Sequence, residues 1–119
     1  MTCWEVLVDL INRCAMVITP KKPYVDWANY TATSFETLKQ LQHSAKVLLL
    51  PSAVYENSEP FLEEYAQALF EAELAAWTSD QKLWPSIRNA DVFQKWFEVF
   101  FHALVVDFFE NELIKEPYG

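Results

Sequence analysis

The longest apolar stretch of the chain, residues 96–109, reads WFEVFFHALVVDFF and is rich in β-branched and aromatic side chains. As a helix it would be apolar on nearly every side, which is uncommon in a chain this short. As a strand over residues 99–108 it has two distinct faces. One face holds Val99, Phe101, Ala103 and Val105, and the other holds Phe100, Leu104 and Val106 with the polar Glu98 and His102. We favour the strand, while a helix remains the alternative that periodicity alone leaves open.

Two further segments have the pattern of strands. Residues 13–19 read RCAMVIT and are followed by Pro20, which has no N–H to donate to a strand ladder. Residues 46–51 read KVLLLP, a short and almost continuous apolar run that ends in proline. Such a run is typical of a strand buried on both faces, so we expect 46–51 to be the central strand.

Helical periodicity and capping residues predict two main helices. Residues 33–36 have the spacing of a capping box, which predicts a helix over 34–43. A longer amphipathic helix is expected over 59–78, with acidic residues in its first turn, where the helix dipole favours negative charge. Shorter helices are expected to begin near Pro23 and near Asn89.

Together these elements predict a single α+β domain. Its core would be a sheet of about three strands, covered by the two main helices and assisted by the short ones. A chain of 119 residues is long enough for one substantial hydrophobic core. We expect residues 1–12 to form an N-terminal extension, 13–110 the compact domain and 111–119 a charged tail.

The net charge of -8 is concentrated in the second half of the chain. Residues 1–54 carry five basic and four acidic groups, whereas residues 55–119 carry four basic and thirteen acidic ones. A surface of this sign repels phosphate backbones and anionic lipids, so we expect no binding to nucleic acid or to membranes. Most of these carboxylates are expected to form a solvated surface.

Cys3 and Cys14 are the only cysteines. Residues 1–10 lack the basic start of a secretion signal, and no window is long and apolar enough to span a membrane. We therefore expect a cytoplasmic location with two free thiols, although the sequence leaves their redox state open. No zinc spacing, nucleotide loop or nucleophile elbow is present, so we assign no catalytic residue, cofactor or metal ligand.

Five residues are candidates for a binding site. Tyr24, Asp26 and Trp27 follow a proline-rich turn, where a carboxylate beside two aromatic rings suits a cation or a hydrogen-bonding ligand. His102 shares a predicted strand face with Glu98, as an acid/base pair would. Trp84 in a Leu-Trp-Pro step is a third kind of candidate, an exposed anchor for a partner. For each of them a structural role in the core or at a helix end is the competing interpretation.

Several of these residues occur in short motifs. Pro-Lys-x-Pro-Tyr-x-Asp-Trp occupies residues 20–27, Leu-Trp-Pro occupies 83–85, and a Trp-Phe step leads to His102. In these motifs the chain resembles a small uncharacterised bacterial protein family, over residues 12–108. The resemblance implies a bacterial protein and carries no activity with it. In that family a small hydroxyl residue often follows the histidine, whereas this chain has Ala103.

The absence of catalytic motifs and the five tryptophans favour an acidic module that binds a protein partner or self-associates. The alternative is a small enzyme or ligand-binding protein with a pocket near Asp26, Trp27 and His102. That alternative requires these side chains to converge in the folded chain. A third interpretation is that the motif residues only hold the fold together.

Overall fold

The computed structural model describes residues 6–31, 45–109 and 111–117. Its α-helices are α1 (Lys22–Thr31), α2 (Ser58–Trp77) and α3 (Ala90–Trp96), with short 3-10 helices at Ser52–Asn57 and Gln81–Leu83. Its strands are β1 (Val6–Leu10), β2 (Arg13–Pro20), β3 (Lys46–Pro51), β4 (Phe97–His102) and β5 (Val106–Phe109). This is the single α+β domain that the sequence predicts. The predicted helix over 34–43 lies outside the described residues.

The main sheet is antiparallel and has the strand order β3-β2-β4. Met16 in the middle of β2 pairs with Leu48 of β3 on one side and with Phe101 of β4 on the other. The prediction that residues 46–51 form the central strand is therefore wrong, because among the described strands β2 is central and β3 lies at an edge. The error has a physical cause: β3 is apolar on both faces, yet its side chains alternate between half-buried and exposed instead of being buried throughout.

The predicted strand over residues 99–108 is confirmed in type but is divided in two. β4 ends at His102, residues 103–105 form a bend, and β5 then pairs with β1 in a separate two-stranded ribbon. The Ile11 N–H donates to the Val105 carbonyl at 3.0 Å, which bridges the two sheets. The chain from β1 to β2 and the chain from β4 to β5 therefore run side by side as two long antiparallel strands, each interrupted once.

The hydrophobic core lies on one face of the main sheet. Even-numbered residues of β2 and odd-numbered residues of β4 point toward the helices, as the strand period of two requires. On the helix side, α2 contributes residues spaced four apart along one stripe. The fully buried members of this cluster include Met16 and Ile18 from β2, Tyr24 from α1, Ala66, Phe70 and Leu74 from α2, Phe93 from α3 and Phe97 from β4.

Local sequence explains where α2 and α3 begin and end. Pro60 lies in the first turn of α2, where a missing N–H costs little, and Glu59 beside it suits the positive end of the helix dipole. The Asn89 side chain caps α3 by accepting a hydrogen bond from the Val92 N–H at 3.0 Å. The backbone of Phe97 is then extended, so that α3 leads directly into β4.

Replacing Asn89 by alanine should remove this cap. We expect Asn89→Ala to lower the free energy of unfolding by about 1 kcal/mol, as other asparagine caps do. Urea unfolding followed by tryptophan fluorescence measures the change. Asn89→Asp keeps an acceptor at the same position and serves as the matched control. Equal losses for the two variants would show that the cap contributes nothing.

Candidate functional site

Tyr24 is part of the core. Its side chain is fully buried, and its hydroxyl donates a hydrogen bond to the carbonyl of Glu73 in α2 at 2.9 Å. Its ring centroid lies 4.7 Å from that of Phe97 and 5.5 Å from that of Trp27. The tyrosine therefore ties α1 to α2 and β4, which is a structural task.

The described tryptophans are also anchored inward. Trp27, Trp77, Trp84 and Trp96 are all half-buried, while Trp4 lies outside the described residues. Three indole N–H groups donate hydrogen bonds: Trp27 to the Leu83 carbonyl at 2.8 Å, Trp77 to the Thr31 hydroxyl at 2.7 Å and Trp84 to the Thr78 carbonyl at 3.0 Å. Because their polar groups are satisfied within the fold, these side chains do not form the exposed aromatic surface that the sequence suggests.

Asp26 and His102 do not join the aromatic cluster. Asp26 is exposed on α1 and forms an ion pair with Lys22, one helical turn away. The distance from Lys22 Nζ to Asp26 Oδ2 is 2.8 Å. α1 packs on the covered side of the sheet and follows Pro20, the partner of Phe97 at the start of β4. His102 lies at the other end of β4, about 17 Å further along the strand, and it is exposed on the opposite face. The five candidates therefore do not converge on one pocket.

Arg88 connects the loop before α3 to α2. Its Nε donates to the Glu71 carboxylate at 3.0 Å, its Nη1 donates to the Pro85 carbonyl at 2.8 Å, and its guanidinium lies 5.7 Å from the Trp84 ring centroid. Hydrogen bonds from Gln67 and then from Arg88 lower the pKa of Glu71, and they outweigh the opposing effect of burial. Trp84 is thus held between Arg88 and the core.

A groove of about 550 Å³ between the start of α2 and α3 is lined by acidic residues, among them Glu59, Glu63 and Asp91. These carboxylates do not form a metal centre. Among the residues that the structure describes, no three His, Cys, Asp or Glu side chains come together as metal ligands would. Part of the acidic surface lies here, on the helical side of the molecule.

The uncovered face of the main sheet is the most distinctive surface. We call it the outer face and define it by Ala15, Val17, Val47, Leu49 and Phe100. Val17 pairs directly with both Val47 and Phe100, and Ala15 pairs with Leu49, so these side chains point the same way. The exposed fraction is 65% for Val47, 47% for Leu49 and 55% for Phe100.

The outer face is apolar, and its surface is uneven. The central strand contributes the small Ala15, which is 7% exposed, and the half-buried Val17. The larger side chains of Val47 and Leu49 stand on one side of this row and Phe100 stands on the other. The result is a shallow apolar trough between two ridges. Thr19, Glu98 and His102 continue the same face at its two ends.

The two-stranded ribbon of β1 and β5 adds a second apolar surface. Leu10 pairs with Val106, so the two side chains share a face, and Phe108 lies on that face two residues later. All three are exposed. A two-stranded ribbon is only marginally stable in water by itself. Burial of these three side chains against another surface would therefore stabilise it.

Sequence reasoning did not single out the outer face. The apolar run at 46–51 predicts a strand covered on both sides, and that prediction assigns Val47 and Leu49 to the interior. One feature of the sequence does indicate such a face: residues 46–51 and 99–108 each have apolar side chains on both faces of the strand. Such strands need two covering layers, and the second layer can come from another chain.

Comparisons of the chain with protein-family models, with curated proteins and with solved structures found no match. The family resemblance of the motifs therefore stays a prediction. No α-helix in the described parts of the chain has the length and apolar character needed to cross a bilayer.

The indole hydrogen bond of Trp27 provides a test of the structural role of the aromatic cluster. Trp27→Phe keeps an aromatic ring but loses the bond to the Leu83 carbonyl, so we expect about 1–2 kcal/mol less stability. Chemical unfolding measures the loss. Tyr30→Phe, at a highly exposed position of the same helix, should leave stability unchanged. A Trp27→Phe variant as stable as Tyr30→Phe would contradict the anchoring role.

The pKa of Glu71 gives a pH-dependent prediction. A carboxyl group whose pKa is lower in the folded state stabilises the fold above its unfolded pKa, and this contribution is lost as the pH falls through the folded pKa. Glu71→Gln should therefore reduce stability near neutral pH, and the difference from the unmodified protein should shrink in acid. Denaturant titrations of Glu71→Gln and of the unmodified protein, at neutral pH and in acid, measure this difference in stability. A difference that stays constant with pH would contradict the ionic origin.

Proposed function

We propose that this chain is a protein-interaction module that self-associates, and that a second copy of the chain covers the outer face of its sheet. The observation that carries the proposal is the uncovered row of Val47, Val17 and Phe100 across all three strands. Apolar surface of this kind, arranged contiguously, marks interaction sites more often than ordinary protein surface. The proposal includes a cytoplasmic location, supported by the free, buried thiol of Cys14.

The distribution of charge favours a second copy as the occupant. Two chains of net charge -8 repel each other, and they can approach only where charge is sparse. The acidic side chains of α2 and α3 lie on the helical side, whereas the five residues of the outer face are uncharged and its two ends carry one charge of each sign, Glu98 and Arg13. A face-to-face arrangement would therefore keep most carboxylates of the two copies far apart.

The shape of the outer face supports the same occupant. In a two-fold symmetric interface the same patch meets itself, so every ridge on one copy must find a recess on the other. The small residues Ala15 and Val17 provide that recess, and Phe100 provides a large side chain to fill it. Two such sheets would pack about 10 Å apart, as in a β-sandwich.

The area of the outer face indicates a weak dimer. Three strands of about six residues span a footprint of about 290 Å², and the ribbon adds about 130 Å². A standard interface buries about 800 Å² of accessible surface on each partner. We therefore expect a small interface whose dimer dissociates on dilution, with the ribbon needed to extend the contact.

Replacing the central phenylalanine should abolish self-association. Phe100→Ser removes the side chain that fills the partner's trough, and we expect this variant to sediment as a monomer at concentrations where the unmodified protein is a dimer. Sedimentation velocity over a dilution series measures the equilibrium. Because Phe100 is exposed in the single chain, the variant should remain folded, which circular dichroism verifies.

Ile87→Ser is the matched control, since Ile87 is similarly exposed but lies in the loop before α3. It should leave the dimer unchanged. Added salt should strengthen the dimer, because it screens the repulsion between two acidic chains. A monomeric unmodified protein at high concentration would overturn the proposal, and so would equal effects of Phe100→Ser and Ile87→Ser.

A further inference from the structure

Two opposite charges mark the ends of the outer face. Arg13 begins β2 on the same side as Ala15, and Glu98 of β4 lies at the other end, where it pairs with Thr19. The step along β2 from Arg13 to Thr19 is about 20 Å. The apolar residues of the outer face lie between these two positions. The face therefore has a positive end, an apolar centre and a negative end.

Neither charge is compensated within the described parts of the chain. The ion pairs found there are Lys22 with Asp26, Lys46 with Glu73 and Arg88 with Glu71. Arg13 Nη1 donates to the neutral Asn12, to its carbonyl and to its side-chain oxygen, both at 2.8 Å. Glu98 is exposed. Each of the two charges can therefore gain a partner of opposite sign when another molecule covers the face.

A second copy can lie against the outer face in two orientations that keep the strands aligned. In symmetric face-to-face packing the two-fold axis lies between the two sheets. If the axis runs along β2, Arg13 of one copy meets Arg13 of the other. If the axis runs across the strands, the second copy is turned end for end, and Arg13 reaches its Glu98. Of these two orientations, the end-for-end one opposes charges of unlike sign.

The end-for-end orientation also brings the apolar centres together. The axis that relates the two charged ends passes through the middle of the face, between Ala15 and Val17. Phe100, which pairs with Val17, is then brought between Ala15 and His102 of the second copy. The small Ala15 leaves room for the phenylalanine ring, and both rings lose exposed apolar surface.

The crossing angle of the two sheets follows from the same positions. Glu98 lies one strand across from Arg13 as well as about 20 Å along it, so the line that joins them is inclined by about 13° to the strands. A two-fold axis perpendicular to this line turns the second sheet by twice that angle, about 26°. Aligned sheets of β-sandwiches cross at about 30°. Charge pairing and sheet packing therefore favour the same orientation.

We propose that Arg13 and Glu98 orient the second copy, with each Arg13 guanidinium paired to the Glu98 carboxylate of the other chain at the two ends of the interface. This inference rests on the proposed self-association through the outer face. A face with one charge of each sign is complementary to itself when it is turned end for end. Ion pairs at a rim add little affinity, whereas opposed like charges repel. The two residues therefore act on orientation and on the choice of partner.

Charge reversal tests the orientation in the full chain. Glu98→Arg opposes two cations at each end of the dimer, so we expect a dissociation constant about tenfold or more above that of the unmodified protein. The same substitution reduces the net charge of -8 by two units, which by itself would favour association. A weaker dimer therefore reports the local contact. Sedimentation velocity over a dilution series measures it, and circular dichroism verifies the fold.

A mixture of two reversed chains provides the rescue. Arg13→Glu opposes two anions at each end and should also weaken self-association. An equimolar mixture of Arg13→Glu and Glu98→Arg should form a mixed dimer about as tight as the unmodified one, because each end then joins an anion to a cation. Glu63→Arg makes the same change of charge at an exposed position of α2 and is the matched control. It should not weaken the dimer.

The orientation and the self-association fail in different ways. The orientation would be overturned, and the outer face retained, if Phe100→Ser disrupted the dimer while Glu98→Arg left it as tight or tighter. A mixture that associates no better than either reversed chain alone would have the same meaning. A monomeric unmodified protein would overturn self-association itself, and the orientation with it.

Discussion

The structure depends on a sheet that is covered by described helices on one face only. β2 pairs along both edges, and its even-numbered side chains enter a core formed by α1, α2 and α3. Met16 and Ile18 are nearly inaccessible to solvent, while Ala15 and Val17 on the other side face outward beside larger apolar residues. Since apolar side chains are stabilised by removal from water, both faces favour burial. The described helices supply cover for one of them.

This asymmetry also organises the charge and the aromatic residues. Most described tryptophan and tyrosine rings of the motifs pack between the helices and the sheet, where their polar atoms bond to backbone or hydroxyl oxygens. Acidic residues occupy the solvent side of the helices. The opposite side of the sheet has an apolar centre, and its charged residues Arg13 and Glu98 lie at the two ends. The molecule therefore has a charged helical side and a sheet face with an apolar centre.

The motif residues show how far sequence reasoning reaches toward a site. Tyr24, Trp27 and Trp84 do come close to the same helix–sheet junction, and the competing structural interpretation of them agrees with their hydrogen bonds. Asp26 and His102 share the sequence motifs but not the location. Motif membership records that residues occur together along the chain, whereas convergence requires a particular topology. Here α1 lies on one face of the sheet and His102 lies on the other.

The sequence by itself determined the local structure. The Arg13–Pro20 and Lys46–Pro51 strands, the long helix Ser58–Trp77 and the Asn89 cap all follow from short-range preferences of backbone and side chains. Alternation from residue 99 to residue 102 also identified which side chains share a face. Only the tertiary structure decided that β3 lies at an edge of the described sheet and that the 99–108 segment bends at 103–105. It also decided that the described helices cover one of the two apolar faces. Strands that are apolar on both sides contain no local signal for which side the helices will cover or which neighbour they will have, because those choices depend on contacts between residues far apart in the chain.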